Sequence, residues 1–92
     1  MIKEVRLSKQ ARKALHKVPK YIVQKLMLWV DDVEKRGIEK VREIPGYHDE
    51  PLLGERKGQR AIRLSRGYRA IYEVRKQVIE FIQVEEVHKH EY

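Results

Sequence analysis

The sequence predicts an α+β domain, a small antiparallel sheet with an N-terminal helical hairpin packed on one face. Apolar residues recur at helical spacing in the first third of the chain, and they alternate with polar residues after residue 58. A run of helices followed by a run of strands is typical of the α+β class. A chain of 92 residues is long enough for one core, so we expect residues 1–92 to form a single domain.

The first third of the chain predicts a short strand and two helices. Ile2, Val5 and Leu7, with Lys3 and Arg6 outside, indicate a short strand. Ser8 can cap a helix over Lys9–Lys17, and a second helix over Pro19–Arg36 starts with a proline and stops before Gly37. The apolar stripe of the second helix consists of Ile22, Leu26, Trp29 and Val33.

The rest of the chain predicts the sheet. Ile38–Ile44 fits either one more helical turn, which we favour, or a short strand, and Pro45–Pro51 has the composition of a loop. A strand over Leu52–Arg56 is a further option. Three antiparallel strands follow, over Gln59–Ser65, Tyr68–Arg75 and Val78–Glu85, with turns at Ser65–Gly67 and Lys76-Gln77.

The charge is concentrated in one part of the chain. The net charge is +7, and eight basic residues but only two acidic ones lie between Gly54 and Lys76. This distribution favours nucleic acid or an acidic protein as partner, although a merely basic, soluble domain would also fit. Cysteine is absent, which excludes disulfides and thiolate metal sites, and the longest apolar run, Leu26–Val30, is too short to span a membrane. We therefore expect a cytoplasmic protein with no membrane partner.

Strand parity predicts a facing pair of arginines. The apolar even-numbered residues of the two central strands share the helix side only if their loop has an odd number of residues, so we predict a three-residue loop with Gly67 at positive φ. Arg63 then lies opposite Arg69 on the other side, with Glu73 as a partial counter-charge. Two like charges in this position suggest a bound anion, whereas the alternative is a solvated, internally paired surface. Arg60 falls on the helix side unless the strand is bulged.

Several motifs resemble a known family. Pro51-Leu52-x-Gly54, Ile62-Arg63-Leu64, the segment 68–72 (YRAIY) and the ending His90-Glu91-Tyr92 resemble, in order and spacing, the RelE/HigB-type toxins of bacterial type II toxin–antitoxin modules. The resemblance covers almost the whole chain and places it in the RelE/ParE superfamily. It implies a small ribonuclease that cleaves mRNA in the ribosomal A site, against 16S rRNA, without metal or other cofactor. It also implies a cognate antitoxin that blocks the toxin in a heteromeric complex.

The resemblance also suggests site residues. RNA cleavage through the 2′-OH needs a base, an acid and cations that stabilise the charged transition state, and histidine serves as acid or base near neutral pH. The candidate catalytic residues are His90, Arg63, Arg69, Tyr92 and His48. The candidate RNA-binding residues are Arg56, Lys57, Arg60, Arg66 and His88. The family's best-known members use lysine, arginine and a tyrosine base, while this tail is closer to histidine-using members, so the identity of the base stays open.

Three other functions are compatible with the sequence. His48 with the His88, His90 and Glu91 cluster has the chemistry of a metal site, but no pair has helical i,i+4 spacing. A ParE-type gyrase poison shares the fold and would not need the tail histidines. A module that binds RNA without cleaving it would show salt-dependent binding only.

Overall fold

Five strands form one mixed sheet, and three helices cover one of its faces. The structure is a computed structural model that describes residues 1–87. The strands are β1 (Glu4–Leu7), β2 (Glu50–Pro51), β3 (Arg60–Arg63), β4 (Tyr68–Arg75) and β5 (Val78–Glu86), and the helices are α1 (Lys9–Leu15), α2 (Lys20–Arg36) and α3 (Ile38–Val41). The predictions for His88, His90, Glu91 and Tyr92 lie outside the described residues.

The strand order is β1-β5-β4-β3-β2, and one pairing differs from the prediction. β2 to β5 are antiparallel neighbours, but β1 pairs with β5 in parallel, so the α+β class is confirmed while the wholly antiparallel sheet is wrong. Short turns impose antiparallel order on consecutive strands. All three helices separate β1 from the other strands, so no turn fixes its direction.

The helical segment follows the sequence signals closely. The Ser8 hydroxyl accepts a hydrogen bond from the Ala11 amide at 3.0 Å and caps α1, which ends two residues before the predicted Lys17. α2 begins directly after Pro19 and ends at Arg36, just before Gly37, whose φ of +85° favours glycine. α3 confirms the helical interpretation of the segment after Gly37. α1 packs mainly on β5, and α2 packs on β1 and α3; the hairpin packing of α1 on α2 stays a prediction.

The β3–β4 hairpin has the predicted register but a different loop geometry. Arg63 lies opposite Arg69, and the Leu64 amide donates to the Tyr68 carbonyl at 3.0 Å. Gly67 does not have positive φ, so that prediction is wrong. The Gly67 amide instead donates to the Ser65 hydroxyl at 3.1 Å, and this side-chain bond closes the turn without a left-handed residue.

The other turns also differ in detail from the expectation. Lys76 and Gln77 form the predicted two-residue turn, both with positive φ, as a type I′ hairpin requires. No strand forms over Leu52–Arg56. The strand before β3 is only Glu50–Pro51. The Leu52 amide still donates to the Gln59 carbonyl at 2.9 Å, and Gly54–Arg56 then forms a 3-10 turn.

A bulge in β5 changes the direction of its side chains. Ile71 pairs with Gln83 but Tyr72 pairs with Phe81, which leaves Ile82 as an extra residue. Ser8 holds the bulge, since its amide donates to the Phe81 carbonyl at 2.9 Å and its hydroxyl donates to the Ile82 carbonyl at 3.1 Å. The extra residue lets Phe81 and Val84 both enter the core, and it turns Glu85 toward the opposite face.

The core lies between the helices and the inner face of the sheet, as predicted. Trp29, Tyr72 and Phe81 are fully buried, with ring centroids 5.1 to 5.6 Å apart. The apolar even-numbered residues of β3 and β4 belong to this core or pack on it; they are Ile62, Tyr68, Ala70, Tyr72 and Val74. The opposite face, here called the outer face, carries Arg63 and Arg69.

Candidate functional site

A cleft of about 230 Å³ lies at the end of the sheet where the β3–β4 hairpin meets the end of β5. Its walls come from four separate segments of the chain, which contribute His48, Leu52, Arg63, Arg66, Arg69 and Val87. Four of these side chains were predicted as site residues from the sequence. The fold therefore gathers one candidate histidine and three candidate arginines around a single opening.

The facing arginines differ from each other in surroundings. Arg63 and Arg69 are direct cross-strand neighbours, Arg63 exposed and Arg69 half-buried. Like charges in this position destabilise a sheet unless a counter-charge is nearby. The predicted counter-charge, Glu73, instead binds Arg75 at 2.8 Å. No acidic partner of Arg63 is found among residues 1–87.

Glu85 is the counter-charge of this face. It lies opposite Arg69 in the β4–β5 ladder, and one of its oxygens, Oε2, accepts from Arg69 Nε at 2.9 Å and from Nη2 at 2.7 Å. Arg56 Nη1 lies 3.3 Å from the other oxygen, Oε1. Glu85 thus binds two predicted arginines at once, and we call this group the outer network.

Glu85 was not among the predicted site residues, although the sequence contains a signal for it. Ile79, Phe81 and Val84 are all apolar, and the step of three between the last two breaks strand alternation. A bulge at that point would have placed Glu85 on the same face as Arg69.

The remaining RNA-binding candidates are spread around the cleft. Arg56 is the last residue of the 3-10 turn Gly54–Arg56 and Lys57 follows it; both are exposed, and Arg66 is exposed at the tip of the β3–β4 loop. Cations at these positions extend the basic surface beyond the facing pair.

His48 lies on the cleft wall in an unusual backbone conformation. It is exposed and has a φ of +47°, in the left-handed region, directly after the 3-10 turn Pro45–Tyr47. Its amide donates to the Pro45 carbonyl at 3.1 Å, which fixes the turn. Strained residues occur often at functional sites, and here the strain turns the chain so that the next residue enters the protein interior.

That next residue, Asp49, forms a second group of polar contacts on the other face, the inner network. Its side chain has no exposed surface, and it accepts from Arg60 Nε at 2.6 Å and from the Tyr72 hydroxyl. Arg42 Nε donates to the Tyr72 oxygen at 3.3 Å. Burial, and then the bond to Asp49, raises the pKa of Tyr72, which stays protonated.

The inner network gives Arg60 a structural partner. Arg60 lies on the helix side, as parity predicted, and its guanidinium also donates to the Asp49 carbonyl at 3.4 Å. Its predicted part in RNA binding stays a prediction. Asp49 was missed, but a buried tyrosine hydroxyl needs a hydrogen-bond partner, and the core position of Tyr72 already called for one.

The end of β5 brings the chain to the cleft. The Val87 amide donates to the Gly67 carbonyl at 2.8 Å, and Val87 is part of the cleft wall. His88, His90 and Tyr92 themselves lie outside the described residues.

Residues 1–87 contain neither a clustered metal-ligand set nor a membrane-spanning helix. No group of three or more His, Cys, Asp or Glu side chains there is arranged to hold a metal ion, and three of the four residues of the metal alternative lie beyond this part of the chain. None of the helices within the same residues is long and apolar enough to cross a membrane.

Comparison with known proteins finds structural relatives only. No protein-family model and no curated protein sequence matches the chain. The RelE–RelB complex of the archaeon Pyrococcus horikoshii contains a chain with a TM-score of 0.70 and 27% identity, covering 94% of this chain and 96% of that one. YafQ from Escherichia coli gives a TM-score of 0.73 at 19% identity, covering 91% of this chain and 92% of that one.

A third relative extends the comparison to another organism. The toxin–antitoxin complex RelBE2 from Mycobacterium tuberculosis matches with a TM-score of 0.69 at 21% identity, covering 95% of this chain and all of that one. The fold is therefore that of RelE/ParE-superfamily toxins. The resemblance that the sequence motifs indicated is confirmed.

Proposed function

We propose that this chain is the toxin of a toxin–antitoxin module and acts as an mRNA endonuclease on the ribosome. The observation that carries the proposal is the single cleft that joins the facing pair Arg63 and Arg69 to His48 and to the start of the tail. The likeness to chains from three toxin–antitoxin systems supports the toxin class. The basic cleft supports a polyanionic substrate.

The proposed reaction is attack of a ribose 2′-OH on the neighbouring phosphate. The 2′-oxygen forms a bond to phosphorus while the bond from phosphorus to the 5′-oxygen breaks, which leaves a 2′,3′-cyclic phosphate and a 5′-OH. A base takes the proton of the 2′-OH, and an acid protonates the leaving oxygen. The reaction is metal-free by analogy with the family, and the charge on the phosphorane is stabilised by arginine.

The residues divide into three proposed roles. Arg63 and Arg69 hold the scissile phosphate, because they face each other on rigid strands and their guanidinium groups suit phosphate oxygens. His90 and His48 transfer protons, and Tyr92 stacks on a base or orients the phosphate. Flanking phosphates are bound by Arg56, Lys57, Arg66 and His88. Arg60 is left out of this set, because the inner network holds its guanidinium.

The proposed partners follow from the same comparison. A cognate antitoxin inhibits the toxin in a heteromeric complex, and several similar chains were solved together with an antitoxin. In the cell, the substrate is mRNA in the A site next to 16S rRNA, so we expect a cytoplasmic location. Cleavage on the ribosome also explains a basic surface larger than the cleft, since rRNA phosphates surround the mRNA.

The direct test is cleavage of mRNA on translating ribosomes by the purified protein in the presence and absence of EDTA. Primer extension should show new ends only with the protein, and end analysis should find 2′,3′-cyclic phosphates. His90→Ala should abolish growth arrest in cells. An intact mRNA together with unchanged growth arrest by His90→Ala would contradict the proposal, and inhibition of gyrase supercoiling would instead favour a ParE-type poison.

A further inference from the structure

We infer that Glu85 is a positioning residue that orients Arg69 toward the scissile phosphate, an inference that rests on the proposed function. The sequence did not indicate a role for Glu85, and the proposed reaction does not use it. It is nevertheless the one carboxylate in the described chain that binds two of the arginines proposed to hold RNA.

The contacts of Arg69 show how the orientation arises. A guanidinium has five N–H groups in a fixed planar fork. Two of them, on Nε and Nη2, donate to one oxygen of Glu85 at 2.9 and 2.7 Å. Because the fork is rigid, fixing this edge also fixes the other, and three N–H groups on Nη1 and Nη2 are left for a phosphate.

Glu85 is itself held firmly enough to act as a reference point. It lies within β5 rather than in a loop, and Ser8 ties the bulge that directs its side chain to the outer face. The Glu85 side chain is 21% exposed, whereas that of Arg56, on its other oxygen, is 48% exposed. The carboxylate therefore joins a half-buried arginine on a strand to an exposed arginine in a turn.

The neighbours of Arg69 explain why orientation needs a carboxylate. Arg63 lies opposite on one side and Glu85 opposite on the other, in three adjacent strands. Without the carboxylate, repulsion between the two arginines would turn their side chains apart, away from a shared phosphate. The same carboxylate also repels RNA and could compete with the substrate phosphate for Arg69. Removing Glu85 should slow cleavage if it positions Arg69, and should speed cleavage if it competes with RNA.

The test compares three variants with the wild type. Glu85→Ala removes the carboxylate, Glu85→Gln keeps an oxygen acceptor without the charge, and Glu86→Ala is the matched control, an exposed neighbour with no ion pair in the described chain. The measurements are the cleavage rate on ribosome-bound mRNA, the affinity for an uncleavable 2′-O-methyl RNA, and the melting temperature.

Positioning predicts that cleavage slows while binding does not weaken. Glu85→Ala should cleave roughly 10- to 100-fold more slowly, because a misplaced arginine loses alignment with the phosphate. It should bind the uncleavable RNA at least as tightly as the wild type, because a negative charge is gone. Glu85→Gln should recover part of the cleavage rate, and Glu86→Ala should match the wild type in all three measurements.

Three results would overturn the inference. Faster cleavage by Glu85→Ala would make the carboxylate a competitor of the substrate. Equal losses of binding, cleavage and melting temperature without recovery by Glu85→Gln would make it a purely structural residue. Cleavage by Glu85→Ala at the wild-type rate would leave it no role in positioning.

A readout without cleavage separates this inference from the proposed function. The Arg69 Nε–H resonance in ¹⁵N NMR should be protected from solvent exchange in the wild type and in Glu86→Ala, and lost to exchange in Glu85→Ala. The uncleavable RNA should shift that resonance in the wild type. A wild type that cuts no mRNA contradicts the proposed function, whereas an Arg69 resonance that RNA does not shift contradicts this inference.

Discussion

The inner and outer networks place the same chemistry, a carboxylate bound to arginine, on opposite faces of one sheet. The Asp49 side chain is completely buried and binds Arg60 and the Tyr72 hydroxyl, whereas Glu85 keeps 21% of its side chain exposed between Arg69 and Arg56. A buried carboxylate needs hydrogen-bond donors from the protein itself. A partly exposed carboxylate is also hydrated, so the arginines that bind it keep N–H donors for a ligand. Burial therefore separates an arginine whose donors are used within the protein from arginines that keep donors for a ligand, as the proposed function requires.

The two networks are connected through one turn of the chain. His48 lines the cleft, and the next residue, Asp49, is the centre of the inner network. The buried contacts of Asp49 hold the backbone on which His48 is placed. Stability and site geometry are thus coupled at this turn, even though the two arginine groups lie on different faces.

The largest expected effect on stability is that of Asp49→Ala. The substitution leaves Arg60 and the Tyr72 hydroxyl without their acceptor, so the free energy of unfolding should fall by about 3 kcal/mol. Urea denaturation at pH 7 measures the change. Glu85→Ala is the matched substitution on the outer face and should cost less than about 1 kcal/mol, because exposed ion pairs contribute little. Equal losses from both variants would remove the distinction between the networks.

The next effect appears at alkaline pH through Tyr72. Burial and the bond to Asp49 raise its pKa in the folded protein, so the stability that the neutral hydroxyl contributes is complete below about pH 10 and is lost as pH rises further. Tyr72→Phe should lower the free energy of unfolding by about 1 kcal/mol at pH 7 and should flatten its decline above pH 10. A series of urea denaturations from pH 7 to 11 measures both.

Tyr47→Phe provides the control for that pH series. Burial and the bond to Asp32 raise the pKa of Tyr47 to about 12, so this tyrosine adds its own loss of stability between about pH 10 and 12. The double variant should therefore have the flattest profile. An unchanged profile in Tyr72→Phe would show that the inner network does not hold the tyrosine proton.

The smallest effect is expected from Arg63 on the outer face. Arg63→Ala removes one of two like charges that face each other, so it should raise the free energy of unfolding by a few tenths of a kcal/mol. Lys57→Ala, an exposed cation away from the pair, is the control and should change nothing measurable. A loss above about 1 kcal/mol in Arg63→Ala would mean that Arg63 is a structural residue like Arg60.

The sequence predicted those features that parity and loop length determine together. The pairing of Arg63 with Arg69 could be predicted, because only a loop with an odd number of residues places the apolar residues of both strands in the core. The prediction of positive φ at Gly67 was wrong, because a hydrogen bond from its amide to the Ser65 side chain closes the turn without a left-handed residue. The parallel pairing of β1 was missed because no turn joins it to its neighbour.

The candidate site was predicted only in part. Arg63, Arg69, Arg66 and His48 do line one cleft. Glu85 was missed because the bulge at Ile82 shifts the alternation of side chains along β5 by one residue. Asp49 was missed because its partner Arg60 lies eleven residues away in sequence. Contacts of this kind depend on the folded chain and are only weakly marked in the pattern of residue types.

The cleavage rate of Arg63→Ala/Arg69→Ala on ribosome-bound mRNA tests most directly whether the outer face is the site of RNA cleavage. The double variant should remain folded, with a free energy of unfolding within about 1 kcal/mol of the wild type, because both side chains lie on the outer face, in contact with solvent. Its cleavage rate should fall at least about 100-fold, because the phosphorane loses its cations. A folded double variant that cleaves within about twofold of the wild-type rate would contradict the assignment of catalysis to this face.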